Sequence, residues 1–267
     1  MARVASTIHA EAIAMRWDPV QYGRFADERG RPYLDLLARI EADAPRRVVD
    51  VGCGPGNLTA LLPSRWPDAA VEGFDSSPEM ISAASGVTGV RFSVGDAAAW
   101  MPTPDTDVII SNAVLQWLPT HRSLLRAWAG GLPSGGWLAF QVPGYLAPWN
   151  DLMIEIALSP RWAARLASAV EQEVPVSPAR DYAQLLLDAG LSTDAWETTY
   201  QHVLTGADAV LEWVRGTALR PILATLGSDA GEFEREYVAA LRTAYPTDSA
   251  GRTLFGFNRI FAVGRKP

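Results

Sequence analysis

The sequence predicts an α/β fold with a doubly wound, mostly parallel seven-stranded sheet and helical insertions. Between residues 46 and 142, short apolar runs alternate with segments of helical periodicity, the pattern of a parallel sheet covered by helices. Two of these runs, VVDVG and DVIIS, are almost continuously apolar, as expected of strands buried on both faces. In a sheet of this kind the ligand crevice lies at the carboxyl ends of the first and fourth strands.

The individual elements follow from local composition. Each predicted strand is a run rich in apolar and β-branched residues, and each predicted helix repeats its apolar residues every three or four positions. The predicted strands are 46–52, 69–75, 89–96, 106–112, 135–143, 196–204 and 253–266. The helices between the first five strands are predicted over 57–66, 77–85 and 121–132.

The segments outside this core are predicted to be mainly helical. Residues 30–42 place Leu34, Leu37 and Ile40 at helical spacing, which predicts a helix that packs on the sheet or covers the crevice. After the fifth strand, prolines divide a tryptophan-rich stretch into short helices, the composition of a lid. The predicted units are an N-terminal extension and helical cap (1–45), the ligand-binding core (46–143), a helical lid (144–192) and C-terminal strands with a helical insertion that complete the sheet and a second pocket (193–267).

Composition narrows the class of protein. The 267 residues are 48% hydrophobic and 20% charged, with a net charge of −7, so we expect no nucleic acid or membrane partner. One cysteine (Cys53) and three histidines provide no disulfide and no metal-ligand set, so no metal is expected. His9 and Glu11 interrupt what would be the apolar part of a secretion signal, and Met15 is an alternative start. We expect a cytoplasmic monomer.

The turn after the first strand, VVDVGCGPGN (48–57), is the most informative segment. Gly52, Gly54 and Gly56 leave the backbone bare and allow positive φ, whereas a simple tight turn would need only one glycine. A dinucleotide fingerprint would require glycine at position 57, where Asn57 stands, and the loop has no lysine for a P-loop. A helix N-terminus with free N–H groups suits one carboxylate, such as the amino-acid end of S-adenosylmethionine.

Carboxylates follow the next two strands. Asp75 ends the second strand, where it can accept hydrogen bonds from both hydroxyls of a ribose, because Ser77 and Pro78 already cap the following helix. Met80 is a candidate to lie against a purine, although methionine there is more often core packing. The third strand ends at Gly95-Asp96-Ala97, and Asp96 is a candidate acceptor for an adenine amino group.

The fourth strand ends in Ser111-Asn112-Ala113, which faces the same crevice. Leu115-Gln116-Trp117 follows without the aspartate-proline-proline-aromatic box that amino-group methyltransferases use, and its absence favours an oxygen nucleophile.

Together, the VDVGCGPGN loop, the segment from Asp75 to Met80 and the pair Asn112-Ala113 resemble a class I S-adenosylmethionine-dependent methyltransferase with a Rossmann-like core. From Trp17 onward, the chain is similar to the trans-aconitate 2-methyltransferase family. The matching stretches outside the loop are 17–40, 111–121, 196–206, 216–223 and 257–265. The resemblance implies a carboxyl O-methyltransferase that gives a monomethyl ester and S-adenosylhomocysteine.

Two sets of site residues follow from these patterns and from the resemblance. The predicted cofactor-binding residues are Asp50, Gly52, Cys53, Gly54, Asn57, Asp75, Ser76, Met80, Gly95, Asp96, Ala97, Asn112, Ala113 and Trp117. The predicted substrate-binding residues are Trp17, Tyr22, Arg31, Tyr145, Tyr200, His202, Arg220 and Arg259.

No catalytic acid or base is predicted, because a carboxylate is already ionised near neutral pH and its attack needs only alignment and exclusion of water. Arginines are expected to hold the remaining carboxylates of a small polyanionic acid. For each arginine and for His202, the alternative is a solvated or packed structural residue.

The chain departs from the family pattern at residues 144–150. Gly144 and Tyr145 replace a polar entry, and Trp149-Asn150 replaces a hydroxyl residue followed by histidine. Two alternatives therefore stay open: a methyltransferase of the same fold that acts on another small acid or on a natural-product hydroxyl, and, less favoured, an NAD-dependent oxidoreductase.

Overall fold

The computed structural model describes residues 26–144, 147–171 and 176–267. Its sheet has seven strands in the order β3-β2-β1-β4-β5-β7-β6. The five strands from β3 to β5 are parallel to their neighbours, whereas β7 runs antiparallel to β5 and β6 antiparallel to β7. The strand order reverses between β1 and β4, where an open α/β sheet places its ligand crevice. The predicted fold class is confirmed.

The elements are numbered here in chain order. The strands are β1 (Arg47–Val51), β2 (Ala70–Asp75), β3 (Arg91–Val94), β4 (Thr106–Asn112), β5 (Trp137–Pro143), β6 (Ser192–Thr205) and β7 (Arg252–Arg265). The α-helices are α1 (Ala26–Ala38), α2 (Leu62–Arg65), α3 (Pro78–Ala84), α4 (His121–Gly131), α5 (Pro148–Ala157), α6 (Ala163–Glu171), α7 (Ala179–Asp188), α8 (Ala209–Arg215), α9 (Arg220–Leu226) and α10 (Ala230–Ala244).

Helix α1 covers one face of the sheet. It lies over Val48 and Ile110 through its buried residues Tyr33, Leu36 and Leu37. Leu34, expected on this buried face, is instead half exposed, because Tyr33 and Leu36 define the buried stripe and Leu34 lies at its border. The helix also begins and ends about four residues earlier than predicted.

The opposite face packs against α4 and α7. Trp128 of α4 and Tyr182 and Leu186 of α7 belong to the same apolar cluster as Phe140 and Ile260 of the sheet. Helix α7 therefore covers the sheet, although it falls within the segment predicted as a lid. A separate cluster joins α5, α6, α8, α9 and α10 to the first part of β7, beyond the edge of the parallel strands.

The helix predicted over 57–66 is shorter than expected. It consists of a 3₁₀ turn, Thr59–Leu61, followed by the single α-helical turn of α2. Pro63 lies in the first turn of α2, where its missing N–H is tolerated. Pro67 follows Trp66, the residue that caps the carboxyl end of α2. The two prolines confine regular helix to one turn.

Candidate functional site

The glycine loop joins β1 to the first 3₁₀ turn and adopts the left-handed conformation that its glycines predict. The φ angles of Gly52, Gly54 and Gly56 are 75°, 55° and 76°. A Cβ at Gly52 would lie 2.2 Å from a methyl carbon of Val114, whereas a Cβ at Gly54 would meet nothing within 4 Å. Gly52 is therefore required by close packing, and Gly54 borders open space.

The amide groups inside the glycine loop donate to oxygen atoms of the protein itself. The N–H groups of Gly52 and Cys53 both donate to the carbonyl of Phe74, and that of Gly56 donates to the carbonyl of Cys53. The Gly54 amide donates to Asp75 Oδ2 at 3.0 Å, and Pro55 has no N–H. These bonds tie the loop to β2, which the sequence did not reveal because the partner carbonyl is more than twenty positions away.

Asp75 lies at the end of β2 and connects two loops. Its Oδ2 accepts from the Gly54 amide and its Oδ1 accepts from the Ser77 amide at 2.9 Å. Ser77 caps α3 as predicted, with its Oγ accepting from the Met80 amide. Although Ser77 caps α3, Asp75 still binds two backbone amides. Each of its carboxylate oxygens has two lone pairs, so each oxygen can also accept a hydrogen bond from a ribose hydroxyl. Partial burial raises the pKa of Asp75.

Asp50 is fully buried at the end of β1. Its Oδ2 accepts hydrogen bonds from the Thr59 hydroxyl at 2.7 Å and the Tyr33 hydroxyl at 3.2 Å. Burial raises the pKa of Asp50 to about 6, and the charge on nearby Asp75 acts in the same direction. The two hydroxyl bonds oppose this shift, because they stabilise the ionised carboxylate. Asp50 thus fastens α1 to the glycine loop.

The chain reverses sharply after β4. Ala113 has a φ of 58°, which is unfavourable for a residue with a side chain and is found where the surrounding structure enforces it. The Ala113 amide donates to the Gln141 carbonyl, and the Ala113 carbonyl accepts from Gln116 Nε2 at 2.7 Å. The turn brings Val114 against Gly52, so the ends of β1 and β4 contact each other directly.

A row of polar side chains crosses the sheet face that α1 covers. Asn112 of β4 is the register partner of Gln141 in β5, and Gln141 is the partner of Phe261 in β7. Arg259, two residues from Phe261, places Nη1 3.5 Å from Gln141 Oε1. Register partners and residues two apart share a face, so Asp50, Asn112, Gln141, Arg259 and Tyr200 all lie on this face. Asn112 and Gln141 are level, and the others are offset by two residues from strand to strand, so the five form a diagonal row.

The outer end of this row is aromatic and cationic. The Arg31 guanidinium lies 5.1 Å from the centre of the Tyr200 ring, and the Tyr200 hydroxyl donates to Asp35. His202 lies 4.7 Å from Trp213, ring centre to ring centre. Burial, together with the charges of Arg259 and Arg31, lowers the pKa of His202 to about 4, so this histidine is neutral at pH 7. Burial and the Asp35 contact raise the pKa of Tyr200.

Most of the other predicted residues lie at the ends of the strands. Asn57, Ser76 and Asp96 are exposed, Gly95 and Trp117 are half-buried, and Cys53, Met80 and Ala97 are buried. Arg220 is half-buried at the first position of α9. Trp17, Tyr22 and Tyr145 lie outside the described residues.

Sequence reasoning missed several polar residues of this region. Three carboxamide side chains are buried, and each has one atom without a hydrogen-bond partner among the described residues. These atoms are Nε2 of Gln141, Oε1 of Gln116 and Oδ1 of Asn150. Gln141 interrupts the otherwise apolar strand WLAFQVP, a signal that could have identified it. The departure at Gly144 also has a structural cause, since a Cβ there would lie 2.0 Å from Asn258 Oδ1.

A cavity of about 180 Å³ lies elsewhere, between α8 and α10. Asp208, Arg242 and Tyr245 are among its lining residues, and none of the predicted site residues is. The polar row and the strand ends, and not this cavity, remain the candidate site.

Sequence comparisons now identify the family. A methyltransferase domain model matches residues 22–195. A trans-aconitate 2-methyltransferase of Mycobacterium sp. (strain KMS) is 53% identical over 253 residues, which cover 93% of this chain and 99% of the relative. The chain belongs to the trans-aconitate 2-methyltransferase family. Another member, from Streptomyces avermitilis, is 48% identical over 96% of this chain and 98% of its own length. The chain is therefore a methyltransferase.

Solved structures support the fold of this family. The YcgJ protein of Bacillus subtilis matches with a TM-score of 0.57 at 22% identity, over 88% of this chain and 98% of that one. A phosphoethanolamine N-methyltransferase of Haemonchus contortus, solved with S-adenosylhomocysteine, matches with a TM-score of 0.51 at 16% identity, over 89% of this chain and 52% of that one. These distant matches extend to the fold alone.

The lengths of the helices and the placement of possible metal ligands bear on membranes and metals. Within residues 26–144, 147–171 and 176–267, no helix combines the length and apolar character needed to cross a bilayer. The same ranges contain no group of three or more histidine, cysteine or acidic residues close enough to hold a metal ion.

Proposed function

We propose that this protein transfers the methyl group of S-adenosylmethionine to a carboxylate of trans-aconitate, which yields a monomethyl ester and S-adenosylhomocysteine. The observation that carries the proposal is the polar row on the α1-covered face, which runs from Asp50 to the buried cation of Arg259. One end of the row carries a carboxyl group and the other a cation. This difference suits a nucleoside donor at the first end and an anionic acceptor at the second. The names of the bacterial relatives support this substrate.

The donor half is formed by the loop after β1 and the end of β2. Asp75 offers carboxylate lone pairs to ribose hydroxyls, and the open space at Gly54 gives a ligand access to bare backbone. Asn112 Oδ1 and Gln116 Oε1 are buried acceptors without a partner, and they suit the donor's ammonium group. S-adenosylmethionine, when bound, supplies an electrophilic methyl carbon.

The acceptor half is formed by β7, β6 and α1. Arg259 is 7% exposed, and a guanidinium at this position suits a substrate carboxylate at the floor of the crevice. Arg31 lies on the other side of Tyr200 and suits a second carboxylate of the same acid. We propose that these arginines orient trans-aconitate while α1 excludes water.

The proposed reaction balances without a general base or a metal. A lone pair of the ionised carboxylate forms the new O–CH₃ bond, the C–S bond breaks, and its electrons remain on sulfur as the neutral thioether. No proton moves, so the step needs no ionisable base beside the acceptor. The buried thiol of Cys53, whose pKa burial raises, takes no part.

We further propose that the enzyme works as a monomer in the cytoplasm, with no nucleic acid or membrane partner. The net charge of −7 and the single cysteine, which is buried and unpaired, support this view. Light scattering during gel filtration would test the monomer, and a mass of twice the chain or more would contradict it.

The decisive experiment combines binding and turnover. S-adenosylhomocysteine is titrated by calorimetry, and methyl transfer is then measured with trans-aconitate, other small di- and tricarboxylic acids and hydroxylated natural products. A base-labile ester from trans-aconitate is expected; a base-stable ether from an alcohol, or transfer to a different acid with higher kcat/KM, would contradict the proposal. Exchange of Arg259 for Met should raise the KM for the acid, and the same exchange at exposed Arg265, near the other end of β7, serves as the control.

A further inference from the structure

Gln141 is the most deeply buried polar side chain of the row that has an unpartnered atom. It is 1% exposed, and its Nε2 has no hydrogen-bond acceptor in the part of the chain that the structure describes. A buried N–H group without an acceptor is costly, so a group that binds there recovers a large part of that free energy.

The orientation of the Gln141 carboxamide is set by its neighbour. Arg259 Nη1 faces Gln141 Oε1 at 3.5 Å, and a guanidinium can only donate hydrogen bonds. The oxygen must therefore face Arg259, and the NH₂ group points away from the cation. In the neighbouring strand, the register partner Asn112 has the opposite vacancy, an unpartnered Oδ1 acceptor.

These two vacancies divide the site. Adjacent strands lie about 4.8 Å apart, so a donor on β5 and an acceptor on β4 face the same small space above the sheet. The acceptor belongs to β4, the neighbour of β1, and the donor belongs to β5, the neighbour of β7 and its Arg259. A positively charged group at the acceptor and an anion at the donor would satisfy both atoms.

We propose that the side-chain amide of Gln141 binds the substrate carboxylate directly and, with Arg259, determines that the acceptor is an ionised carboxylate. The inference rests on the proposed function and assigns Gln141 a role in acceptor specificity. The two oxygens of one carboxylate can each accept from one of these donors. Neither Gln141 nor Arg259 can remove a proton, so a hydroxyl acceptor gains no base from this pair.

The test replaces Gln141 with Met, which has similar volume and no hydrogen-bonding amide. Loss of one hydrogen bond to a charged group is expected to lower kcat/KM for trans-aconitate about 10- to 100-fold, mostly through KM. Affinity for S-adenosylhomocysteine should stay within about twofold of the original. The melting temperature should change little, because the exchange removes the unsatisfied Nε2 group together with the oxygen that faces Arg259 Nη1. The same exchange at exposed Gln201, on the neighbouring β6, is the matched control and should leave all three values unchanged.

A second variant, Gln141→Glu, keeps the shape and adds a negative charge that pairs with Arg259. It should fold, bind S-adenosylhomocysteine and lose more acceptor affinity than Gln141→Met, as measured by titrating trans-aconitate into protein saturated with S-adenosylhomocysteine. Unchanged acceptor affinity in both variants, or a parallel loss of affinity for S-adenosylhomocysteine, would overturn the inference. If the unaltered protein esterifies no acid at all, it is the proposed function that fails, and this result is distinct because it does not depend on residue 141.

Discussion

Replacement of Gly52 by Ala should destabilise the protein much more than the same replacement two residues later. Both glycines have positive φ, 75° at Gly52 and 55° at Gly54. The new Cβ at position 52 would lie 2.2 Å from one methyl carbon of Val114 and 3.0 Å from the other, while at position 54 it would project into open space. The pair therefore separates backbone strain from packing.

The expected magnitudes follow from these two contributions. The left-handed conformation costs an L-residue about 1–2 kcal/mol, which applies to both variants. Overpacking against Val114 adds about 1–3 kcal/mol for Gly52→Ala alone. The total is about 2–5 kcal/mol at position 52 and about 1–2 kcal/mol at position 54. For a chain of this size, each kcal/mol lowers the melting temperature by about 2–4 °C.

The assay is urea unfolding of both variants followed by circular dichroism, with S-adenosylhomocysteine titrated into each. Gly54→Ala should fold well but bind S-adenosylhomocysteine more weakly, since its methyl group fills space that the proposed ligand occupies. Combining Gly52→Ala with Val114→Ala should recover part of the lost stability, because the clash is removed. Equal free energies of unfolding for the two single variants would refute the packing contact between the ends of β1 and β4.

Three further predictions concern charged residues. Because the folded pKa of Asp50 is about 6, above the value of 3.8 for an unperturbed carboxyl, ionisation opposes folding, and stability falls as pH rises between about 4 and 6, by about 3 kcal/mol in all. The melting temperature of Asp50→Asn minus that of the original protein should therefore be higher at pH 8 than at pH 4. If this difference were the same at both pH values, it would contradict the burial effect. Asp75→Ala should abolish binding of S-adenosylhomocysteine in calorimetry and cost about 1–3 kcal/mol of stability, because the Gly54 and Ser77 amides lose their acceptor, with Asp75→Asn as the milder control. Arg220→Ala should weaken acceptor binding and leave affinity for S-adenosylhomocysteine intact; a loss of both would indicate a folding defect.

Local signals predicted the parallel core of the fold. Strand-length apolar runs, the cap at Ser77-Pro78 and the positive φ of the loop glycines all appear in the structure where the sequence placed them. Contacts between distant segments were not predicted. The amides of Gly52, Cys53 and Gly54 are bonded to Phe74 and Asp75, residues of another strand.

The candidate site shows the same division. Glycines and terminal carboxylates can be read from a short window, because their conformational and capping preferences are local. Gln141 appeared in sequence as one polar residue in an apolar strand, with no indication of which side chain it would face.

The sequence by itself determined the α/β class and the family to which the chain belongs. Only the tertiary structure decided that Asn112, Gln141, Arg259 and Tyr200 lie on one face in a diagonal row, since these residues come from four strands that packing aligns. Hydrophobic periodicity specifies which residues of a strand are buried, but the alignment of one strand with another depends on the packing of the whole core. The charge separation across that row is therefore a property of the folded sheet and not of any segment of the chain.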